Sequence, residues 1–309
     1  MNKPTVFVTG VCGFLGRHIA RAAHNQGRTV YGVDVLAPEN APPLQKYFQL
    51  SLPNSHLDSV ISDLQPDLCV HCAGRASVIG SIDDPQNDFE TGPALTFHLL
   101  NSLRQHAPSC RFVFLSSAAV YGNPAHLPVE ETQLAAPISP YGFHKWQCEL
   151  LCQEFAHVYG LRTASVRIFS AYGPGLRRQV LWDICLQVLQ NQELNLRGTG
   201  NETRDFVHAH DIARAILTVA QAAPMTGEVY NVGTGFQTAI RQLAEIASTA
   251  VGVRREPVFD GRVPPGDPLR WQANIMKLSA LGFAPEIGLE NGVLGYAQWC
   301  KAELGITAS

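Results

Sequence analysis

The chain has 309 residues, of which 46% are apolar and 16% are charged, a balance typical of a globular protein with a packed core. The formal net charge of -3 lacks the positive excess that nucleic-acid phosphates require, so we expect no nucleic-acid partner. The longest apolar runs are of strand length, and the first residues show no signal-peptide pattern. We therefore expect a cytoplasmic protein without a membrane-spanning helix.

The first half of the chain alternates between short apolar runs and helical patterns. The predicted strands cover residues 6–8, 29–33, 68–70, 111–115 and 164–168, and the predicted helices cover about 14–25, 58–64, 86–106 and 141–159. Continuous apolar strands separated by helices are typical of a parallel sheet that is covered on both faces. The sequence therefore predicts a doubly wound α/β fold.

After residue 168 the pattern loosens, and glycine and proline become frequent. We predict a larger domain over residues 1–173, to which parts of 205–235 return, and a smaller region over 174–309.

The 8 cysteines lie mostly inside apolar strand or helix patterns, which favours free thiols. Cys69 and Cys72 have the spacing of half a zinc site. However, no second cysteine or histidine pair follows at the required distance, and an odd spacing on a strand directs the two side chains to opposite faces. We expect no metal.

A glycine-rich segment from Thr9 to Gly16 (TGVCGFLG) follows the first strand and opens the first helix. Glycines at Gly10, Gly13 and Gly16 permit a tight turn and the close approach of backbone amides to a pyrophosphate, which the helix N-terminus also attracts. A turn without a ligand is the alternative. The position between strand and helix favours dinucleotide binding.

Asp34 ends the second strand about 20 residues further on. A carboxylate at this point accepts hydrogen bonds from the adenosine ribose and repels a 2'-phosphate, so NAD is favoured over NADP. The alternative is that Asp34 only begins a turn. Arg28, at the other end of the strand, is not placed to bind a phosphate.

Ser139 and Pro140 open a predicted helix as N-cap and first residue, which places Tyr141 and Lys145 on one face. A tyrosine acts as a base near pH 7 only if its pKa falls by roughly 3 from about 10, and a neighbouring lysine works in that direction. Alone, this pair is also compatible with an ordinary helix surface. Ser117, at the carboxyl end of a predicted strand, adds a hydrogen-bond donor where open α/β sheets bind ligands.

The order of the motifs resembles that of extended short-chain dehydrogenases, in particular the NAD-dependent epimerase/dehydratase family. The motifs are TGxxGxxG from Thr9, SSxxVYG from Ser116, YxxxK from Tyr141, RDFVH from Arg204, YNVG from Tyr230 and GDP from Gly266. They cover nearly the whole chain and are most similar to the UDP-glucose 4-epimerase branch. The resemblance implies a Rossmann-type sheet, NAD as cofactor and a nucleotide-sugar substrate.

The resemblance also implies roles for individual residues. Ser117, Tyr141 and Lys145 form the catalytic triad, and Lys145 additionally holds the nicotinamide ribose. The implied cofactor contacts are Gly10, Gly13, Phe14, Leu15, Gly16, Asp34, Val35, Leu52, Ala73, Gly74, Tyr141, Lys145 and Phe169. The implied substrate contacts are Ser77, Ser117, Ser170, Gln179, Arg197, Arg204 and Arg270, with Arg204 on the diphosphate. A homodimer is implied through a four-helix interface built from the helices at 86–106 and 141–159.

Several positions depart from the family pattern. Ser51-Leu52 stands where an Asp usually contacts adenine, and Gly92 lies in the segment where an Asn is expected. Ser170 and Gln179 replace two Asn residues of the substrate site, and Arg197 replaces an aromatic residue. Arg197 either contacts the base or is solvated, and Arg270 is either a second diphosphate ligand or a surface residue. These changes concern the sugar nucleotide more than the cofactor.

The segment after Ser117 separates the reactions of the family. Sugar 4,6-dehydratases have an Asp-Glu pair there, because eliminating water needs an additional acid and base. UDP-glucuronate decarboxylases have a glutamate in this segment, and this chain has Ala118 and Ala119. We therefore favour epimerisation at C4 through a 4-keto sugar. A 4-ketoreductase, another dehydrogenase or a dehydratase is the enzymatic alternative. A non-catalytic dinucleotide sensor is the other, against which the intact triad argues.

Overall fold

The computed structural model describes residues 3–262, 266 and 268–306. Asp267, in the last of the family motifs, lies outside these residues. The strands are β1 Thr5–Thr9, β2 Thr29–Asp34, β3 Lys46–Gln49, β4 Leu68–His71, β5 Arg111–Ser117, β6 Arg162–Ile168, β7 Ser170–Tyr172, β8 Asn195–Leu196, β9 Thr203–Arg204, β10 Phe206–His208, β11 Thr226–Val232, β12 Thr238–Ala239 and β13 Val258–Phe259.

The main sheet has seven strands in the order β11-β6-β5-β4-β1-β2-β3. All of its neighbouring strands pair parallel to each other. The helices are α1 Phe14–Asn25, α2 Leu57–Leu64, α3 Val78–Asp83, α4 Pro85–Phe89, α5 Leu95–His106, α6 Pro140–Tyr159, α7 Gln179–Leu189, α8 Ala209–Ala222, α9 Ile240–Val251, α10 Met276–Ser279 and α11 Leu289–Glu303.

Helices cover both faces of this sheet, as the sequence predicts. On one face, Ile19 of α1 and Ile212 of α8 pack in a core cluster with β-strand residues such as Val6. On the other face, Leu99 of α5 and Phe155 of α6 belong to a second core cluster, which also contains helix α2. The doubly wound Rossmann-type fold is therefore confirmed.

The predicted helix over about 86–106 is helical throughout, but one stretch of it departs from α-helical geometry. Helix α4 ends at Phe89, the backbone widens into one π-helical stretch at Glu90–Ala94, and α5 begins at Leu95. The break coincides with Gly92 and Pro93, because proline lacks the N–H for the helical ladder and its ring displaces the preceding turn. Strand β3 and helix α3 are short elements that the sequence patterns did not predict.

The smaller region packs around helices α7, α9 and α11. Leu181, Leu243 and Tyr296 represent these helices in a separate core cluster. Strand β11 and helix α8, although late in the chain, belong to the main sheet and its covering layer. Among the residues that the structure describes, no helix has the length and apolar character needed to cross a bilayer.

Candidate active site

The glycine-rich loop packs closely against neighbouring backbone at the start of α1. Gly10 has a φ of +65°, and a Cβ there would lie 2.7 Å from the backbone nitrogen of Ala73. A Cβ at Gly16 would lie 2.2 Å from the carbonyl oxygen of Gly10. Gly13 is the N-cap and has no side chain to occupy the N–H groups of the first turn, where Phe14 and Leu15 follow. This cradle fits the pyrophosphate of a dinucleotide.

The Asp34 carboxylate lies beside this loop at the end of β2. One oxygen accepts a hydrogen bond from the Cys12 N–H at 2.9 Å, and the other accepts from the N–H groups of Val35 and Leu36 at 2.8 and 3.3 Å. The carboxylate thus ties the glycine loop to the strand end. A carboxylate has further acceptor positions, so these contacts are compatible with a ribose hydroxyl.

The other predicted cofactor positions lie around the same edge of the sheet or beneath it. Ala73 donates its N–H to the Thr9 hydroxyl at 3.2 Å, and Gly74 has a φ of +122°. Leu52 is half-buried against the core cluster that contains α2, and Phe169 is buried between β6 and β7. These residues follow the carboxyl ends of strands β3, β4 and β6, which explains why they lie at this edge of the sheet.

Helix α6 begins as the sequence predicts. The Ser139 hydroxyl accepts a hydrogen bond from the Gly142 N–H at 3.2 Å, and the Tyr141 N–H donates to the Ser81 hydroxyl of α3 at 3.0 Å. A Cβ at Gly142 would lie 2.7 Å from the Ala119 carbonyl oxygen, so the helix start is in close contact with the turn that follows β5. Tyr141 packs against the core cluster that contains Ala118 and Ala119 of this turn, directly after Ser117.

The predicted triad surrounds the carboxyl end of β5. Lys145 donates from Nζ to the Leu115 carbonyl oxygen at 2.8 Å, and this Nζ is 5.7 Å from the centroid of the Tyr141 ring. Ser117 is the last residue of β5, and its hydroxyl accepts from the Ala119 N–H at 3.2 Å. A small cavity at this point is lined by residues that include Ala73, Gly74, Asp88, Tyr141, His144 and Lys145.

A buried polar network that the sequence analysis missed supports this strand end. Glu149 of α6 accepts two hydrogen bonds from Arg167 Nε and one from Arg167 Nη2, the shortest at 2.6 Å. Ser116, next to Ser117, donates a hydrogen bond from its hydroxyl to the Glu149 carboxylate at 2.5 Å. Burial alone would lower the pKa of Arg167, but contact with Glu149 outweighs burial and raises that pKa. The pair therefore anchors β5 to α6 beside the triad.

Two motif residues fix loops near the site. Asp205, in the RDFVH motif, accepts from the N–H groups of Thr234, Gly235 and Ala273 at 2.7, 2.9 and 3.1 Å. Asn231, in the YNVG motif, accepts a hydrogen bond from the Tyr121 hydroxyl at 2.7 Å. Burial raises the pKa of Asp205, although the hydrogen bonds oppose this shift. Sequence spacing cannot identify such partners, because they are distant along the chain.

The predicted substrate residues are less closely grouped. The Arg204 guanidinium lies 5.6 Å from the Trp271 ring centroid and donates to the Thr203 carbonyl oxygen at 3.0 Å. Arg197 and Arg270 are exposed, and Ser170 is half-buried at the start of β7. The Ser77 hydroxyl caps α3 by accepting from the Gly80 N–H at 3.0 Å.

Gln179 begins α7 with a φ of +68°, a left-handed conformation that costs a non-glycine residue of order 1 to 3 kcal/mol. Arg178, which the sequence analysis did not single out, donates to the Ala76 carbonyl oxygen at 2.6 Å and so reaches the loop after β4.

The chain is similar to known proteins over nearly its whole length. Residues 6–233 match the family described as NAD dependent epimerase/dehydratase family. A putative UDP-glucose 4-epimerase of Methanocaldococcus jannaschii is 31% identical over 304 residues, covering 96% of this chain and 98% of that protein. A GDP-6-deoxy-D-mannose reductase of Pseudomonas aeruginosa is 28% identical over 301 residues, covering 93% of this chain and 94% of that protein.

A solved structure extends the similarity to the fold. The UDP-glucose 4-epimerase of Thermotoga maritima, in complex with UDP-glucose, superposes with a TM-score of 0.90 at 28% identity, covering 97% of this chain and 99% of that chain. The match to the family model spans the glycine loop, the triad positions and the Asp205 and Asn231 motifs. This chain therefore belongs to the NAD-dependent epimerase/dehydratase family, and NAD is its cofactor.

Proposed function

We propose that the chain inverts the configuration at C4 of a sugar attached to a nucleotide, through a transient 4-keto sugar. The observation that carries this proposal is the environment of Ser117. Ala118 and Ala119, which follow it, are buried, at 0% and 8% exposure, and offer no acid or base. Tyr141 and Lys145 lie at the same strand end. This arrangement suits oxidation and reduction at one carbon better than elimination of water.

In this mechanism Tyr141 accepts the proton of the C4 hydroxyl and later returns it to the same oxygen. Bound NAD supplies the hydride acceptor and donor, so the C4 hydrogen leaves and returns with its electron pair. Ser117 donates a hydrogen bond to the C4 oxygen, and the Lys145 ammonium stabilises the Tyr141 phenolate. The 4-keto sugar turns over before reduction, so the hydrogen returns to the opposite face and no net oxidation results.

The substrate contacts proposed for the nucleotide are cationic. Arg204 lies against Trp271 and is proposed as a ligand of the diphosphate. Arg270, exposed after the part of the chain that contains Gly266, is proposed as the second diphosphate ligand. Ser77, Ser170, Gln179 and Arg197 are proposed to line the sugar and base positions, where the chain departs from the family pattern.

Turnover in D₂O tests the reaction type. A 4,6-dehydratase exchanges the C5 proton with solvent, whereas a C4 epimerase moves hydride between C4 and the nicotinamide without exchange. We expect a C4-inverted product that carries no deuterium on carbon, identified by NMR after incubation with a panel of UDP-, dTDP-, GDP- and CDP-sugars. Deuterium at C5, or a 4-keto-6-deoxy product, would contradict epimerisation. Net conversion of added NAD(H) in proportion to product would instead favour a 4-ketoreductase.

Tyr141→Phe tests the proposed base. The substitution removes only the transferring hydroxyl, so we expect retained NAD binding and fold but loss of turnover. Tyr159→Phe, on the same helix at 48% exposure, is the matched control and should keep full activity. Comparable activity of the two variants would exclude Tyr141 as the base.

We also propose a homodimer through α5 and α6. Phe97 on α5 and Leu150 and Val158 on α6 are exposed apolar side chains, at 43%, 46% and 67%. Two copies of this helix pair would bury these side chains in a four-helix interface. Sedimentation at micromolar concentration should show a dimer, and Leu150→Glu should shift it toward monomer. A monomeric parent protein would contradict this assignment.

A further inference from the structure

A pair formed by a buried carboxylate and a partly buried imidazole, which no step of the mechanism uses, lies next to the triad. Asp88, near the end of α4, is 4% exposed, and its Oδ2 lies 2.5 Å from Nδ1 of His144 on α6. The Phe89 ring meets the His144 ring edge-on, with 5.6 Å between the centroids. A Cβ at Gly92 would be 3.9 Å from the His144 Cβ, so the imidazole occupies space beside a residue without a side chain.

This pair shares its surroundings with the catalytic lysine. His144 follows Tyr141 by three residues and precedes Lys145 by one, and all of them line one cavity together with Asp88. Cys148 lies one turn after His144, and both the Lys145 ammonium and the Asp88 carboxylate affect the pKa of its thiol. Burial raises the pKa of the Cys148 thiol to about 11, the Lys145 ammonium opposes this rise and the Asp88 carboxylate adds to it. The carboxylate and the ammonium therefore face the same buried space.

A buried carboxylate seeks a donor or a cation, because its charge is costly to leave unpaired. Two groups that line this cavity are suitable partners for Asp88. The imidazole of His144 is its partner in the structure, and the ammonium of Lys145 donates instead to the Leu115 carbonyl oxygen at 2.8 Å. Pairing with Lys145 would draw the ammonium away from the phenol that it has to stabilise. In the structure the carboxylate is instead hydrogen-bonded to His144.

We propose that His144 is a positioning residue, which holds the Asp88 carboxylate away from Lys145 and so keeps the ammonium beside Tyr141. The proposal rests on the roles of Tyr141 and Lys145 in the proposed function. It needs only the Nδ1–H of His144 as a donor, whatever the charge on the ring. Helix α6 thus carries both the catalytic cation and the residue that protects it from a competing anion.

The test measures the ionisation of Tyr141 in the NAD-loaded protein. The ultraviolet absorbance of phenolate is followed against pH in each variant and in its Tyr141→Phe counterpart, and the difference reports Tyr141 alone without any substrate. Other ionisable groups around this space are common to all proteins compared. They are Lys145, Cys148 and Glu149 on α6, Arg75 after β4 and the buried His71 on β4.

Three variants separate positioning from packing. His144→Ala frees the Asp88 carboxylate to pair with Lys145. The midpoint of the Tyr141 titration should then rise by about one pH unit, because the ammonium no longer stabilises the phenolate. His144→Asn retains an N–H donor near the Nδ1 position and should restore the parent midpoint. Asp88→Asn/His144→Ala removes the carboxylate as well, and it should also restore the midpoint.

The outcomes distinguish this inference from the proposed function. An unshifted midpoint in His144→Ala, or the same shift in His144→Ala and in the double variant, would overturn the inference, because the carboxylate would then not be the cause. If the parent protein shows no Tyr141 phenolate signal, the assignment of the base fails, and the inference fails with it. If His144→Ala does not fold, His144→Leu fills the space without a donor and carries the same expectation.

Discussion

The buried Glu149–Arg167 pair offers a quantitative test of how the triad is supported. The side chains of Glu149 and Arg167 are only 1% and 7% exposed. After Glu149→Leu, the guanidinium loses its carboxylate partner, although it keeps a 3.4 Å hydrogen bond to the Glu131 carbonyl oxygen and its contact with Tyr121, whose ring centroid lies 4.6 Å away. An unpaired buried charge costs about 3 to 5 kcal/mol, so we expect a loss of that size in the free energy of unfolding.

Urea unfolding is the assay, and two further variants interpret it. Glu149→Leu/Arg167→Met removes both charges and should recover much of the lost stability, because no buried cation remains. Glu154→Leu changes an exposed glutamate on the same helix and should change stability by no more than about 0.5 kcal/mol. If Glu149→Leu is as stable as the double variant, the pair is not the anchor described above. Turnover should fall in Glu149→Leu, because Ser116 loses its acceptor beside Ser117.

Three further predictions address cofactor, substrate and pH. Asp34→Asn should narrow the preference for NAD over NADP in binding titrations, because the carboxylate charge repels a 2'-phosphate, and a parent protein that prefers NADP would contradict the ribose assignment. Arg204→Ala should weaken nucleotide-sugar binding by roughly 1.5 to 3 kcal/mol, whereas its affinity for NAD should stay unchanged. If calorimetry gives the variant and the parent protein the same affinity for the nucleotide sugar, Arg204 lies outside the site. Burial lowers the pKa of His71 from 6.5 to about 3, so the native state stays neutral while the unfolded state takes up a proton. The free energy of unfolding should therefore fall as pH decreases from about 6.5 toward 3, by at most about 1.4 kcal/mol per pH unit from this group. His71→Asn should lose less stability between pH 7 and pH 5 in urea titrations, and an identical loss would refute this origin.

The sequence predicts those parts of the site that depend on local spacing. The cap at Ser139, the first turn at Pro140 and the i, i+4 relation of Tyr141 and Lys145 are all encoded within seven residues, and the structure contains them as expected. The glycine loop is similarly local, because strand, turn and helix follow one another directly. Patterns of this kind can be predicted because the residues that determine the local geometry are neighbours in the sequence.

Long-range polar partners could not be predicted in this way. Glu149 and Arg167 are 18 residues apart, and Tyr121 and Asn231 are 110 apart. Nothing in their local sequence distinguishes a buried carboxylate with a partner from an exposed one. The π-helical break at Gly92 and Pro93 was missed for a related reason, since the apolar spacing continues across it and a proline within a helix pattern does not specify how the backbone adjusts.

The buried contacts around the triad suggest how substrate specificity can vary while the catalytic residues keep their positions. Glu149 and Arg167 hold β5 against α6, and Asp205 holds the loop after β11, so the predicted triad is supported by buried hydrogen bonds between elements of the fold. Arg197, in contrast, is exposed at the end of a two-residue strand. None of the buried hydrogen bonds described above involves Arg197, so a substitution there should alter substrate affinity with little change in stability. Arg197→Ala should therefore unfold at the parent urea concentration while its affinity for the nucleotide changes. An unchanged affinity for every nucleotide tested would show that Arg197 is solvated rather than part of the site.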